Sequence, residues 1–403
     1  MVITRDCGSR NTGSIPVGHP KISPYPPEAG ILLQSTSTRG AMEKKPTRLL
    51  IISCATGLGH VRAAEALLAT AKTSHPDLEV LHLELASHSG PVLRFFFTTG
   101  YQWLMTTWPM IYGKLFYATD RPAKHETYER LAPLFARSIR PLLKKIAEFN
   151  PDRIITTHFV VPPLIKKYLS CPLDMVITDY YAHRVWDVNG VRHCFVATQE
   201  VSKQLNRAAD YIVSGLPVAP KLLRPYSPTK LQRKLQTPSN FQIVLLLAGG
   251  TGLADTYPYA RALLEKLAPN TLLIAIAGKN NYRLLRRLQT LSGADQNHYR
   301  AFGFVKNIAD WLRLANVIIT KPGGLSITEA LTVRKPLILV APLPGQEEEN
   351  AQYLEQKGWA NYADTPAKAA QLAANLLQGS PPKINPLPQN PNNTILNRVL
   401  EPN

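Results

Sequence analysis

The chain has 403 residues, 45% of them hydrophobic, and a formal net charge of +18. That length predicts two or more domains, and the basic balance favours anionic partners: nucleic acid, an anionic membrane or phosphorylated ligands. The four cysteines form no CxxC pair, which argues against a zinc site or a disulfide framework, and no run of about 20 uncharged apolar residues argues for a transmembrane helix.

In chain order, residues 1–46 are rich in Pro, Gly, Ser and Thr without sustained periodicity and are expected to be a disordered tail. No uninterrupted apolar segment follows a basic start, so a signal peptide is not expected, and a reducing compartment fits the cysteine usage. Strand and helix patterns then alternate through residues 47–218. "RLLIISC" (48–54), "LEVLHLEL" (78–85), "DRIITTH" (152–158), "DMVITDY" (174–180), "HCFVAT" (193–198) and "DYIVSG" (210–215) read as strands. "VRAAEALLATAKT" (61–73) reads as a helix, and so does "RLAPLFARSIRPLLKKIAEF" (130–149), with a kink or break expected near Pro141.

One stretch departs from the alternation: "GPVLRFFFTTGYQWLMTTWPMIYGKLFYATD" (90–120) is dense in aromatic and aliphatic residues but interrupted by Arg94, Pro109 and Lys114. It reads either as buried core helices or as an amphipathic element lying on a membrane. A Pro- and basic-rich segment, residues 219–240, reads as an interdomain linker containing a helix. Alternation resumes in residues 241–379, with strands at "FQIVLLLAGG", "TLLIAIAG", "YRAFGF", "NVIITK" and "PLILVA". Residues 380–403 form a Pro/Asn-rich tail in which "TILNRVL" is the piece suited to dock as a terminal helix. The expected class is α/β: two Rossmann-like doubly wound domains facing a central cleft.

Four glycine-bearing turns follow strands: "SCATGLGHVRAAEA", "LLLAGGTGLAD", "AIAGKNN" and "ITKPGGLSITEAL". Glycines there permit positive φ and close approach, and the next helix offers free N–H groups suited to phosphate. Helix–strand packing also selects glycine. Neither the dinucleotide fingerprint nor a P-loop is present, which argues against an NAD enzyme and a P-loop ATPase.

His60 sits at the first of these turns, where a neutral imidazole takes a proton from an attacking hydroxyl, or simply caps and packs. His158 occupies an analogous strand end. Asp179 orients a His, binds substrate hydroxyls or caps a helix. "GQEEEN" brings Gln346, Glu347 and Asn350 to the mouth of the second sheet, either as partners for sugar hydroxyls or as a solvated helix start. Glu329 lies about two turns past Gly323 and Gly324, too far along for capping.

"ITKPGGLSITEAL" followed by "PLPGQEEENAQYLEQKG", with "VITDYYAHRVW", "CFVATQEVSKQL", "VSGLPVAPKL" and "YQWLMTTWPMIYGKLFYATD", resembles the monogalactosyldiacylglycerol synthases and processive diacylglycerol glucosyltransferases over about residues 48–378. The wider group includes the murein lipid GlcNAc transferase. The resemblance implies a GT-B fold and inverting, metal-independent transfer from a UDP-sugar to a lipid hydroxyl such as that of diacylglycerol. It implies an acceptor- and membrane-binding domain at 47–218 and a UDP-sugar-binding domain at 241–379.

By the same resemblance Glu329 grips the ribose, and Gly249, Gly250 and Thr251 approach the diphosphate. Phe304 and Val305 flank the uracil. Gly323, Gly324, Leu325 and Ser326 line the diphosphate side, and Gln346, Glu347 and Asn350 touch the sugar. His60 is the general base, with Asp179 beside it in the catalytic set. Gly59, His158 and Trp186 fall on the acceptor side. Tyr101, Trp103 and Trp108 meet acceptor or membrane. The family's first turn usually reads Asp-Thr-Gly-Gly-Gly-His; here it is Ala55-Thr56-Gly57-Leu58-Gly59-His60, so a Leu stands where glycine is usual.

The expected activity is a UDP-hexosyltransferase, galactose or glucose, making a β-linked glycolipid while held peripherally on the cytoplasmic face of an anionic membrane. A UDP-sugar is the donor substrate and no cofactor or metal is expected. The alternatives are a GlcNAc transferase acting on a lipid-linked murein precursor and a UDP-sugar-binding protein that has lost catalysis. Nucleic acid is not an expected partner, since neither zinc-finger spacing nor an RNP-like aromatic strand is present.

Overall fold

A computed structural model describes residues 47–120, 132–205, 210–250, 252, 254–279, 281–291, 298–379 and 387–402. Thr251 and residues 1–46 therefore lie outside the described residues.

Among the described residues, twelve strands form two six-stranded sheets, every pairing parallel. The first holds β1 (Arg48–Ser53), β2 (Glu79–Glu84), β3 (Arg153–Thr156), β4 (Leu173–Val176), β5 (His193–Val196) and β6 (Asp210–Val213). The second holds β7 (Gln242–Leu247), β8 (Thr271–Ile276), β9 (Tyr299–Phe302), β10 (Val317–Thr320), β11 (Leu337–Val340) and β12 (Asn361–Ala363). The central strands read as unbroken apolar runs because helices cover both faces; in β7, Val244, Leu245 and Leu246 are fully buried.

Strand order fixes where ligands go. The first sheet runs β2-β1-β3-β4-β5-β6, so its order reverses between β1 and β3. The second runs β12-β11-β10-β7-β8-β9 and reverses between β7 and β10. Ligands of open α/β sheets bind outside the carboxyl ends of strands at such reversals. The turns after β1 and β3 carry His60 and His158; those after β7 and β10 carry Gly249, Gly250, Gly323 and Gly324.

The helices that shape the site are α1 (Leu58–Ser74), α2 (Pro91–Phe95), α3 (Tyr101–Thr107), α4 (Pro109–Thr119), α5 (Gly324–Thr332), α6 (Gln346–Gln356) and α7 (Pro391–Leu400). A π-turn, Phe96–Gly100, joins α2 to α3, and Pro109 starts α4 after a break at Trp108. No described helix is long and apolar enough to cross a membrane. Pro141 does not kink a long helix. It occupies the first turn of a helix at Arg140–Phe149, where its missing N–H is no loss, and Ala132–Phe135 form a separate 3-10 turn.

The segment read as a linker contains two short helices, Pro220–Leu223 and Pro228–Leu235. Lys221 and Lys234 from them converge on the fully buried Asp310 at 2.5 and 2.8 Å. Residues 391–400 are not loose tail. They form α7, whose Ile395, Leu396 and Val399 are fully buried in the first domain's core with Leu49 and Phe195. The Asn392 amide fixes the return by bonding Thr70 Oγ1 at 2.7 Å, the Val218 carbonyl at 2.8 Å and the Val218 N–H at 3.0 Å.

Candidate active site

The two sets of turns face one cavity of about 690 Å3, within the range that encloses a small ligand. Three kinds of wall meet in it. The first domain contributes Thr56, His60, Arg62, His158, Asp179 and Trp186. The second contributes Gly250, Lys321, Gly323, Leu325, Ser326 and Glu347. The helices α2–α4 and the 3-10 turn supply an apolar roof and floor through Leu93, Tyr101, Met105, Tyr112 and Phe135.

His60 is held in one tautomer. Its Nδ1 lies 2.8 Å from the Thr157 carbonyl and 2.9 Å from Thr178 Oγ1. A carbonyl only accepts, so Nδ1 carries the proton and Nε2 is left with a lone pair. The Thr157 hydroxyl donates to the His60 carbonyl at 2.9 Å and pins the backbone as well. The half-buried ring lines the cavity and is packed among Thr157, Thr178, His158 and Trp186. That burial pushes the imidazole down to about 4, against a partial rise from the Thr157 bond. His60 is therefore a neutral hydrogen-bond acceptor at pH 7.

Asp179 follows β4 and reaches the N-terminus of α5. Gly324 N–H and Asn350 Nδ2, the latter at 3.1 Å, hold its carboxylate. A Cβ at Gly324 would collide with the Thr178 carbonyl, so this approach requires glycine. Burial pushes Asp179 up to about 6, opposed by the Asn350 bond and supported by the Glu347 charge.

The second domain supplies a cation that sequence reading did not single out. Lys321 follows β10 directly, before Pro322-Gly323-Gly324. Its stem lies on Gly249, where an added Cβ would sit 2.5 Å from Lys321 Cε, and its ammonium pairs with Glu347. Arg62, one turn into α1, pairs across the cleft with the buried Glu329. Burial raises the Glu329 carboxyl and Arg62 opposes that rise. Among the described residues lining the cavity, Arg62 and Lys321 are the Lys or Arg side chains.

Several expected site residues stand differently. Asn350 is fully buried and does not present its amide to a sugar. Its Oδ1 accepts from Tyr180 N–H at 3.0 Å and Tyr181 N–H at 3.1 Å, while Nδ2 donates to Asp179 and to the Pro322 carbonyl at 3.0 Å. With donors and acceptor all engaged, Asn350 joins the two domains. Gln346 lines the cavity but donates to the Tyr181 carbonyl at 2.6 Å, and Glu347 accepts from Leu343 N–H at 3.0 Å as well as pairing with Lys321. Glu329 is not in the cavity wall. Phe304 is exposed and Val305 packs on the core, both after β9 and away from the cavity.

The acceptor-side residues divide likewise. Gly59, Tyr101, His158 and Trp186 line the cavity, the Trp186 ring 6.1 Å from both His60 and His158. Trp103 and Trp108 pack against each other with centroids 5.0 Å apart and planes tilted by 57°, and are 52% and 49% exposed. Leu58 spans the cleft. A Cβ at Gly250 would sit 2.9 Å from Leu58 Cδ1, so the Leu that replaces the usual glycine fills space between the first and second glycine turns.

These pKa shifts predict an acid-sensitive fold. Burial also holds His158 well below the ordinary histidine value. Folded His60 and His158 thus bind fewer protons than the unfolded chain between about 4 and 6.5, so stability present above pH 6.5 is lost as pH falls through that window. Asp179, raised to about 6, has the opposite sign and offsets part of the loss. Melting temperature is expected to fall as pH is lowered from 6.5 to 4.5, and less so in His158→Gln; a flat profile would contradict the assignment of two neutral buried rings.

Two family models match the chain: monogalactosyldiacylglycerol (MGDG) synthase over residues 60–218 and the glycosyltransferase family 28 C-terminal domain over residues 244–399. The processive diacylglycerol beta-glucosyltransferase of Bacillus cereus (strain G9842) is 30% identical over 329 residues, covering 79% of this chain and 82% of the relative. That of Bacillus mycoides (strain KBAB4) has the same identity and coverage. Among solved structures, Acinetobacter baumannii MurG matches with a TM-score of 0.51 at 14% identity, over 82% of this chain and 91% of that one. The spinosyn rhamnosyltransferase SpnG complexed with thymidine diphosphate matches at 0.53 and 14%, over 83% and 92%. A Staphylococcus aureus MnaA–UDP structure matches at 0.56 and 12%, over 88% and 96%. These likenesses show the GT-B fold.

Proposed function

Because this chain belongs to the family of monogalactosyldiacylglycerol synthases and processive diacylglycerol glucosyltransferases, we propose that it moves galactose or glucose from a UDP-sugar to the hydroxyl of diacylglycerol or a related lipid. It is a glycosyltransferase. The observation that carries the lipid assignment is the cavity in which the free Nε2 of His60, an apolar helical roof and the α5 N-terminus meet. An alcohol on a hydrocarbon chain matches that combination.

The reaction is a single displacement. The acceptor hydroxyl gives its proton to His60 Nε2 as its oxygen attacks the anomeric carbon. The bond to the diphosphate breaks on the opposite face, and an α-linked donor yields a β-linked product. Negative charge grows on the departing UDP. Lys321 and the N–H groups of α5 stand on that side of the cavity, and preorganised donors aimed at developing charge are often the largest contribution to such catalysis. Entry of the diphosphate at α5 meets Asp179 and Glu347, the carboxylates now paired with the same groups. No cofactor takes part in this reading; the nucleotide sugar is a substrate.

Transfer from radiolabelled UDP-glucose, UDP-galactose and UDP-GlcNAc to diacylglycerol, read by lipid chromatography, tests the proposal. Product from either of the first two donors supports it. Product only from UDP-GlcNAc with a polyprenyl-linked murein precursor supports the other reading, and donor binding without any product points to a binding protein.

The same helices support peripheral attachment to the cytoplasmic face of an anionic membrane. Their inner side lines the cavity, while Phe95, Trp103, Trp108, Met110 and Ile111 are exposed and lie outside its lining. Aromatic and aliphatic side chains of this kind suit the headgroup boundary, and a net charge of +18 adds attraction of about 1 kcal/mol per well-placed Lys or Arg. Co-sedimentation with vesicles containing phosphatidylglycerol is expected to exceed that with neutral vesicles at low salt and to weaken as salt rises. Trp103→Ala/Trp108→Ala should lower it about tenfold or more. Equal binding to both vesicle types, unchanged in the variant, would remove the membrane from the reading.

A further inference from the structure

Beside His60 lies a hydroxyl to which the displacement above gives no role. Thr56 Oγ1, in the turn after β1, is 2.7 Å from His158 Nε2. His158 is 2% exposed, and its Nδ1 receives the Val160 N–H at 3.2 Å. A peptide N–H only donates, so Nδ1 holds a lone pair and the single proton of the neutral ring is on Nε2. That proton goes to Thr56 Oγ1. Thr56 therefore accepts from His158 and keeps its own hydroxyl proton for another acceptor.

The two histidines thus present opposite faces to the cavity. His60 offers a lone pair; the His158–Thr56 pair offers a proton. The rings are edge to face with centroids 4.5 Å apart, and Thr56, His60 and His158 all line the cavity. An alcohol is the ligand class that satisfies both at once. Its O–H donates to His60 Nε2, one oxygen lone pair accepts from Thr56, and the other remains for the anomeric carbon.

We propose that Thr56 binds and orients the acceptor alcohol during transfer, and that His158 is a positioning residue acting through Thr56 rather than a second base. The inference rests on the reading of His60 as base. Bond changes are those of the displacement: the acceptor proton moves to His60, the new C–O bond forms at the anomeric carbon, and the bond from that carbon to the diphosphate oxygen breaks, its electron pair leaving with UDP. The Thr56 proton stays on Thr56 throughout, its hydrogen bond strengthening as charge gathers on the attacking oxygen.

The test uses the full chain with diacylglycerol in mixed micelles and measures three quantities: UDP affinity by calorimetry, transfer to lipid, and hydrolysis of UDP-sugar by water. Thr56→Val removes the hydroxyl at near-constant shape. It is expected to keep UDP affinity and to lower kcat/KM for the lipid about 10- to 100-fold, with hydrolysis changed much less. Thr56→Ser should restore most of the loss. His158→Leu should behave like Thr56→Val, and His158→Gln, whose amide still donates, should recover part of the rate. Wild-type transfer in Thr56→Val overturns the inference, as does equal loss of transfer, hydrolysis and UDP affinity, which would mean a purely structural turn. Normal transfer in His60→Ala overturns instead the base on which it rests.

Discussion

Replacing His60 with Ala is expected to lower turnover by about 10²- to 10⁴-fold, the range that a positioned general base supplies. UDP affinity should stay within a few-fold, because His60 belongs to the first domain and the proposed UDP site to the second. The local fold should survive: the turn keeps the Thr157 hydroxyl bond to the backbone carbonyl of residue 60, and the loss is the Nδ1 contacts with the Thr157 carbonyl and Thr178 Oγ1, about 1–3 kcal/mol when such a group is stranded. The pH dependence gives an independent check. The kcat/KM profile reports the free enzyme, where burial holds His60 near about 4. The acid limb attributable to the base therefore lies well below the 6.5 of an exposed histidine, and it should vanish with the residual activity of His60→Ala. Turnover close to wild type in that variant would transfer the role of base elsewhere.

Much of this site was legible because parallel sheets write themselves plainly. Runs such as Ile243–Leu247 and Leu272–Ile276 have no polar side to confuse, so the alternation and the two doubly wound sheets followed directly, and the glycine turns marked strand ends. The order of strands did not follow from the chain. It is the order that brings the turns after β1 and β3, and after β7 and β10, to one cleft, and so turns four weak signals into one site. What escaped was whatever depends on contact between the domains. Asn350 looked like a sugar ligand because local sequence shows only an amide in a helix's first turns; its four partners include residues some 170 positions earlier. The partner of Glu329 is Arg62, 267 residues away. Residues 380–403 read as a Pro/Asn-rich tail with "TILNRVL" as the piece suited to dock; the helix Pro391–Leu400 does dock, placing Ile395, Leu396 and Val399 in the first domain's core. Lys321 was missed beside a more conspicuous glycine pair. The signal was there: a cation at the end of a buried strand, directly before a helix N-terminus, is costly to enclose unless something anionic comes to it.

That something is, in this structure, Glu347; in the proposed reaction it is the diphosphate. Lys321→Ala is expected to lower kcat by about 10²- to 10³-fold, the loss measured when one donor to a developing anion is removed. UDP affinity should fall less, since charge on the leaving oxygen is greater in the transition state than in the bound donor. Lys321→Arg keeps the charge but its wider planar head sits where the stem crosses Gly249, so partial activity is expected. A simpler account is that the alanine variant fails because it strands Glu347 near Asp179: the two carboxylates already repel, and Lys321 lowers the Asp179 value. The double variant Lys321→Ala/Glu347→Gln separates the two. It removes the stranded charge along with the cation, so stability should return towards wild type. If stranding were the cause, activity would return with it. If Lys321 acts on the diphosphate, the double variant folds well, binds UDP and remains slow.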